Sequence, residues 1–125
     1  MPAKKILVAE DDMSFQKLLL FKLKGAGYET RGVSRGDEVI KAFGEFNPDL
    51  VILDGLLPAV NGFDLAKEIR GLPSGKTIPI VLLTGVYKET EYYKYAKEIG
   101  VNLHYDKSTF KDVEFLGEIR KLLSS

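Results

Sequence analysis

Short apolar runs separated by amphipathic stretches divide this chain into alternating strands and helices. Three runs, residues 6–9, 50–53 and 78–83, have the length of strands and lack the alternation that a half-exposed strand shows. Continuous apolar runs of this kind are typical of strands that are buried on both faces of a parallel sheet. Residues 28–33 and 101–105 mix apolar and polar positions, so we predict that they are less covered strands near the edges of the sheet.

The segments between these runs have the spacing of amphipathic helices, with apolar residues three and four positions apart. The predicted helices run from the acidic pair Asp11-Asp12 to the glycines at residues 25–27, and then over residues 37–46, 63–69, 90–99 and 109–123. The apolar stripe contains Phe15, Leu18, Leu19 and Leu23 in the first helix and Val113, Leu116, Ile119 and Leu123 in the last. Strands and helices therefore alternate along the whole chain.

This alternation predicts an α/β fold in which right-handed crossovers build a parallel sheet with helices on both faces. Its five-strand version is the flavodoxin-like, doubly wound (βα)5 arrangement with strand order 2-1-3-4-5. The chain has 125 residues, of which 45% are hydrophobic and 29% are charged, and this is the usual size of one globular domain. We therefore expect residues 1–125 to form a single domain.

The composition excludes several classes of function. Lysine plus arginine number 18 and aspartate plus glutamate number 18, so the formal charge is zero and we expect no direct binding of nucleic acid. The chain has no cysteine and a single histidine, His104, which excludes thiolate zinc sites, cysteine nucleophiles and histidine metal clusters. No apolar run approaches the roughly 18 residues of a membrane span, so we expect no membrane partner and a cytoplasmic location.

Polar residues follow four of the five predicted strands. They are Glu10, Asp11 and Asp12 after the first strand, Asp54 after the third, Thr84 after the fourth, and Asp106 and Lys107 after the fifth. The carboxyl ends of strands in an open parallel sheet border the ligand crevice where the strand order reverses. Each residue alone is an ordinary cap, turn or surface residue. Together they are expected to bring carboxylates, a hydroxyl and an ammonium into one crevice.

This set of side chains has the chemistry for transfer of a phosphoryl group to a carboxylate. Asp54 is the predicted nucleophile. Glu10 and Asp11 are predicted to hold Mg²⁺, which prefers carboxylate and phosphate oxygens and offsets their repulsion. Lys107 offers a positive charge and Thr84 a hydroxyl donor to the oxygens of the phosphoryl group, whose transfer depends mainly on positioning and charge.

Five stretches of the sequence carry a family resemblance. They are residues 6–12 (ILVAEDD), 48–54 (PDLVILD), 58–63 (PAVNGF), 78–85 (IPIVLLTG) and 106–107 (DK). In order and spacing they resemble the receiver domain of two-component response regulators. The resemblance implies that a histidine kinase or phosphotransfer protein donates a phosphoryl group to Asp54 in a Mg²⁺-dependent reaction. It also implies that Glu10 and Asp11 are the acidic pair and that the backbone carbonyl of Leu56 is a further metal ligand.

The resemblance also assigns residues to a conformational switch. Thr84 is the switch hydroxyl, Lys107 contacts the phosphoryl group, and His104 stands at the aromatic switch position. Phosphorylation is then expected to switch the face formed by the fourth helix, the fifth strand and the fifth helix for binding an output protein or a fused output domain. Tyr93 lies off the apolar stripe of the fourth helix and is the expected partner contact on this face. Such a domain is not an enzyme, since it promotes only its own phosphorylation and dephosphorylation.

Glu10 stands where the family often has aspartate, which is a common variant. Two other departures from the family pattern, Ser108 and His104, keep a second function open. Ser108 replaces the proline that usually follows the lysine, and the Lys107-Ser108 bond is expected to be trans because a cis bond here costs about 2.5–4 kcal/mol. His104 has two possible roles: it moves inward with Thr84 as a switch residue, or it is a surface residue without a role in switching. The alternative function is a pseudo-receiver, a protein-interaction module of the same fold that is not phosphorylated. A homodimer that forms on phosphorylation also stays open.

Overall fold

The computed structural model describes residues 3–55, 57, 62–84, 94, 96–107 and 111–124, with Thr84 described by its backbone. The strands are β1 (Lys5–Ala9), β2 (Glu29–Val33), β3 (Leu50–Asp54), β4 (Ile80–Thr84) and β5 (Leu103–Asp106). All neighbouring strands run parallel, in the order β2-β1-β3-β4-β5. The doubly wound, flavodoxin-like fold and the strand order predicted from the sequence are therefore confirmed.

Helices connect the strands. They are α1 (Met13–Gly25), α2 (Val39–Phe46), α3 (Gly62–Arg70) and a C-terminal helix (Asp112–Leu123), with short 3-10 turns at Gly36–Glu38 and Pro73–Gly75. Residues 94 and 96–98 are also helical and lie within the predicted fourth helix. Asp12 begins α1 as its N-cap, because its side chain accepts a hydrogen bond from the backbone N–H of Phe15 at 3.1 Å. In the part of the chain that the structure describes, no helix is long and apolar enough to cross a membrane.

The sheet separates two apolar clusters, as the continuous apolar runs predict. On one face, Leu7, Val51 and Leu82 pack with the inner sides of α2 and α3. On the other face, Val8 and Ile52 pack beneath α1 and the C-terminal helix. All five of these strand residues have no solvent exposure, because successive side chains of a buried strand point into opposite clusters. The edge strands β2 and β5 are only partly buried.

The apolar stripes of two helices differ from the prediction. Val113 is 85% exposed, whereas Phe115, which the prediction left out, is buried against the sheet. The predicted Ile119 is also buried there. Phe115 and Ile119 lie one turn apart, and a residue two positions before Phe115 points away from that face because each residue turns the helix by about 100°. Leu18 of α1 is likewise 45% exposed. Each predicted stripe therefore includes one residue, Val113 or Leu18, that the structure leaves exposed.

The fourth strand begins later than its apolar run. The run was predicted to begin at residue 78, and β4 begins at Ile80. Pro79 has no backbone N–H to donate to a neighbouring strand, although its carbonyl accepts a hydrogen bond from Val51 N–H at 3.1 Å.

Candidate functional site

The parallel sheet brings four of the predicted site residues to one edge. Glu10 and Asp11 directly follow β1, Asp54 ends β3, and Lys107 directly follows β5. Because all five strands run in the same direction, their carboxyl ends share this edge, and β1 and β3 are neighbours in the sheet. The side chains of these residues therefore meet although they are far apart in the sequence.

Three carboxylates form a compact acidic cluster, which consists of Glu10, Asp11 and Asp54. Each offers one oxygen, and these oxygens all lie within 4.8 Å of one another. Glu10 is fully buried and Asp54 is 4% exposed, whereas Asp11 is exposed to solvent. Hard oxygen donors with one solvent-facing member suit Mg²⁺, which binds through one or two carboxylates and retains several waters. The donor set therefore fits the metal that the family resemblance implies.

The ammonium of Lys107 lies between the two buried carboxylates. Its Nζ is 2.5 Å from Oε1 of Glu10 and 3.0 Å from Oδ2 of Asp54, to which it donates a hydrogen bond. It also lies 5.2 Å from the centre of the Phe15 ring, within the range of a cation–π contact. The sequence predicted Lys107 near Asp54 but did not predict its ion pair with Glu10. That pair places a positive charge inside the acidic cluster.

The surroundings shift the ionisation of Glu10 and Lys107. Burial and a hydrogen bond with Asp54 raise the pKa of Glu10 to about 8, against the lowering effects of Lys107 and the Asp12 N–H. Burial lowers the pKa of Lys107, but the hydrogen bonds to Glu10 and Asp54 outweigh it and the net shift is upward. Lys107 is therefore charged at neutral pH, and the cluster disfavours two ionised buried carboxylates beside a single ammonium.

Raising the pH should reduce the free energy of unfolding of the metal-free protein. Glu10 has an ordinary pKa of 4.5 and a folded pKa of about 8, so the folded state keeps a proton that the unfolded state loses. This contribution to stability is fully present below pH 4.5 and is lost as the pH rises through 8. Glu10→Gln cannot titrate and is expected to remove the dependence. Urea unfolding in EDTA at several pH values measures this pH dependence for the wild type and for Glu10→Gln. Identical pH profiles of the two proteins would refute the role of Glu10.

The turn after β1 is held by the first turns of α1. Oε2 of Glu10 accepts a hydrogen bond from the Asp12 N–H at 3.1 Å. The side-chain amide of Gln16 donates to the backbone carbonyls of Glu10 and Val33, at 2.8 and 2.9 Å. Gln16 was not among the predicted site residues. The sequence did contain a signal for this residue. Gln16 lies three residues before Leu19 and seven before Leu23, so its polar side chain is on the buried stripe of the helix.

The loop between β3 and α3 packs tightly against the backbone of Asp54. A Cβ atom on Gly62 would collide with the backbone oxygen of Asp54 and would lie 2.9 Å from Cα of Gly55. The N–H of Gly62 also donates to the carbonyl of Gly55 at 3.1 Å. A glycine at this position therefore lets the start of α3 approach the backbone that carries Asp54.

Gly62→Ala is expected to reduce the free energy of unfolding by about 1–3 kcal/mol, because two backbone segments must move apart. Gly117→Ala is the matched control. Gly117 lies inside the C-terminal helix with no atom within 4 Å of an added Cβ, so the substitution should raise stability by about 0.5–1 kcal/mol. Thermal or urea unfolding checks both values. Equal effects of the two substitutions would show that the close approach at Gly62 is unimportant.

The structure describes only part of the remaining predicted site residues. Thr84 ends β4 opposite Asp106 of β5, and its side chain lies outside the described part of the structure. Leu56, Tyr93 and Ser108 also lie outside the described residues. The metal-ligand role of the Leu56 carbonyl and the partner contact at Tyr93 therefore stay predictions.

His104 and Tyr105 lie on opposite faces of β5. His104 is partly buried and, with residues such as Ala96 and Lys97, lines a cavity of about 230 Å³ beside the helical residues 96–98. Tyr105 packs edge-on against Phe115, with ring centres 5.1 Å apart. Burial lowers the pKa of His104, and the charge of Asp106 partly opposes this effect. The position of His104 is compatible with a switch residue, and that role stays a prediction.

Comparisons with known proteins agree with this arrangement. The family model described as the response regulator receiver domain matches residues 6–119. MtrA from Mycobacterium tuberculosis H37Rv, a DNA-binding response regulator, is 35% identical over 119 residues, which are 95% of this chain and 50% of MtrA. The chain spans about half the length, or less, of the curated relatives that it matches.

Solved structures show the same fold. The signal receiver domain of a signal transduction histidine kinase from Syntrophus aciditrophicus has a TM-score of 0.88 and 32% identity, over 98% of this chain and 91% of that chain. The BeF₃-activated N-terminal receiver domain of RstA from Klebsiella pneumoniae has a TM-score of 0.88 and 29% identity, over 98% of this chain and 100% of that chain.

Proposed function

We propose, from the premise that this chain belongs to the response regulator receiver domain family, that its Asp54 accepts a phosphoryl group in a two-component system. The observation that carries the proposal is the position of the Asp54 carboxylate. It is buried at the carboxyl edge of the sheet, within 4.8 Å of the Glu10 and Asp11 carboxylates and 3.0 Å from the Lys107 ammonium. No metabolic activity is proposed, because receiver domains are signalling domains.

The proposed reaction transfers the phosphoryl group from a phosphohistidine to a carboxylate. An unprotonated oxygen of Asp54 attacks phosphorus, and a new P–O bond forms while the P–N bond of the donor breaks. The bonding electron pair remains on the imidazole nitrogen of the donor, which then takes up a proton. A histidine kinase or a phosphotransfer protein supplies this donor. The protein contributes mainly position and charge, as in other phosphoryl transfers.

Glu10, Asp11 and Asp54 would hold Mg²⁺ in this reaction, and the backbone carbonyl of Leu56 is proposed as a further ligand by family resemblance. When bound, the ion neutralises negative charge on the carboxylates and on the phosphoryl oxygens. Lys107 supplies the second positive charge. Its ammonium now pairs with Glu10 and Asp54, and its flexible stem allows it to exchange a carboxylate for a phosphoryl oxygen.

The signal is proposed to leave through the face that contains β5. Thr84 and His104 would couple the phosphorylated site to this face, because Thr84 ends β4 and is paired in register with Asp106 on β5. Tyr93 is proposed as a partner contact. The equal numbers of acidic and basic residues favour an output protein or a fused output domain over direct binding of nucleic acid.

Intact-mass spectrometry after incubation with Mg²⁺ and acetyl phosphate tests the proposal. The expected result is the gain of one phosphoryl group, which EDTA prevents. If the folded protein gains no phosphoryl group and also binds no Mg²⁺, the chain is a pseudo-receiver. If the protein binds Mg²⁺ but gains no phosphoryl group, either acetyl phosphate is not a suitable donor or the Lys107 region prevents transfer. A repeat with phosphorylated histidine kinase as the donor distinguishes the two.

A further inference from the structure

Gln16 is a buried polar residue close to the acidic cluster. Its side-chain amide donates to backbone carbonyls rather than to the carboxylates. Gln16 lies in the first turn of α1 and is 5% exposed. A buried amide reduces stability unless its donors are hydrogen-bonded. The contacts of this amide therefore indicate its role.

The Gln16 amide joins the carboxyl ends of two neighbouring strands. Its Nε2 donates to the backbone carbonyl of Glu10 at 2.8 Å and to that of Val33 at 2.9 Å. The Val33 carbonyl also accepts from the Glu10 N–H at 3.0 Å. Both donors of the amide are thus used at the point where β1 ends and the acidic residues begin. The Gln16 side chain therefore reinforces the backbone hydrogen bond that holds Glu10 against the end of β2.

The sequence provides space for this amide at Gly32. A Cβ atom on Gly32 would lie 2.6 Å from Oε1 and 2.8 Å from Cδ of Gln16. Glycine is otherwise unfavourable inside a strand, and it often marks a site where another group approaches closely. The absence of a side chain at Gly32 of β2 therefore leaves room for the Gln16 amide of α1.

The rest of the acidic turn is held by the same helix. The backbone N–H of Gln16 donates to the Asp12 carbonyl at 2.9 Å, and the Asp12 N–H donates to Oε2 of Glu10 at 3.1 Å. Movement of the Glu10 carbonyl would consequently move both carboxylates of the pair, Glu10 and Asp11. Mg²⁺ tolerates such movement poorly, because it requires near-ideal octahedral geometry.

We propose that Gln16 is a positioning residue for the Mg²⁺ site, which it serves by fixing the backbone of the acidic turn through the Glu10 and Val33 carbonyls. The inference rests on the proposed function. Gln16 is not a metal ligand; it acts through Glu10 and Asp11. Loss of a group that orients metal ligands typically weakens metal affinity about 10–100-fold.

Calorimetric titration of the purified protein with Mg²⁺ tests this role. Gln16→Met keeps the length and volume of the side chain but removes both donors, and it should weaken Mg²⁺ binding about tenfold or more. Leu23→Ala is the control for a purely structural effect, because Leu23 is buried two turns further along α1. It should lower the unfolding temperature and leave the Mg²⁺ affinity unchanged.

A second variant keeps the test valid if Gln16→Met unfolds. Gly32→Ala should displace the Gln16 amide and weaken Mg²⁺ binding in the wild-type background. In a Gln16→Ala background the Gln16 atoms that would clash are gone and only Cδ1 of Leu20 remains close, at 3.1 Å, so the same substitution should cause little further loss of Mg²⁺ affinity. Unchanged affinity in both Gln16→Met and Gly32→Ala would overturn the positioning role. If the wild-type protein itself binds no Mg²⁺, the proposed function fails, and the inference fails with it.

Discussion

Asp54→Asn is expected to abolish phosphorylation and, at the same time, to stabilise the metal-free protein. Asparagine has the shape of aspartate, but its amide lacks the anionic oxygen that attacks phosphorus. The substitution also removes one of two buried carboxylates that lie beside a single ammonium. The negative charge of Asp54 is one cause of the raised pKa of Glu10. Lys107 keeps its pair with Glu10 in this variant, so relief of the repulsion should increase the free energy of unfolding.

Two measurements on this variant separate the chemical effect from the electrostatic one. Intact-mass spectrometry with acetyl phosphate and Mg²⁺ reports phosphorylation, and urea unfolding in EDTA reports stability. Asp37→Asn is the matched control, because Asp37 is an exposed aspartate that pairs with Arg35. It should be phosphorylated as efficiently as the wild type. Phosphorylation of Asp54→Asn at the wild-type rate would show that another residue accepts the group.

Lys107→Met is expected to cause a large loss of stability in the metal-free state. The substitution leaves Glu10 and Asp54 buried, close together and without their cation. Removing one partner of a buried ion pair costs about 3–5 kcal/mol, and we expect about 3 kcal/mol because the Lys107 side chain is 23% exposed. Phosphorylation should fall about 100-fold or more, since the variant lacks a charge that stabilises the phosphoryl oxygens.

Mg²⁺ should restore much of the stability of Lys107→Met, because the ion can replace the missing positive charge in the cluster. Urea unfolding with and without Mg²⁺ measures this rescue. Lys22→Met is the matched control: the Lys22 side chain is 27% exposed and pairs with Asp112 at 2.5 Å, away from the acidic cluster. This more exposed pair should contribute less than about 1 kcal/mol, with no dependence on Mg²⁺. Equal losses in the two variants would contradict the special role of Lys107.

The fold was predictable because burial on both faces leaves a strong signal in the sequence. Strands such as β3 are fully buried and therefore read as continuous apolar runs, whereas the edge strand β2 alternates. Helix faces were harder to predict. In the C-terminal helix two apolar patterns overlap, and the choice between Val113 and Phe115 depends on which side chain fills the space beneath the sheet.

The meeting of Glu10, Asp11, Asp54 and Lys107 was predictable for a topological reason, since parallel strands end at one edge of a sheet. Their detailed contacts were not. The ion pair of Lys107 with Glu10 depends on side-chain reach within the folded crevice, which no local pattern encodes.

Hydrogen bonds from side chains to backbone carbonyls were equally unpredictable from the sequence. The guanidinium of Arg70 donates to the carbonyls of Gly75, Ile78 and Gly100, and the Gln16 amide donates to the carbonyl of Glu10. Every residue carries a carbonyl, so such partners have no signature in the sequence. Only the polar character of Gln16 on a buried helix stripe indicated that a partner must exist.

Chemical mapping of the phosphorylated residue tests the central claim most directly. Borohydride reduces an aspartyl phosphate to homoserine, so the wild-type protein is treated with acetyl phosphate and Mg²⁺, reduced, digested and sequenced by mass spectrometry. Homoserine is expected at position 54 alone, and none is expected when EDTA replaces Mg²⁺. Homoserine at another acidic residue such as Asp11, or none anywhere in a folded and Mg²⁺-bound protein treated with a phosphorylated histidine kinase, would contradict the central claim.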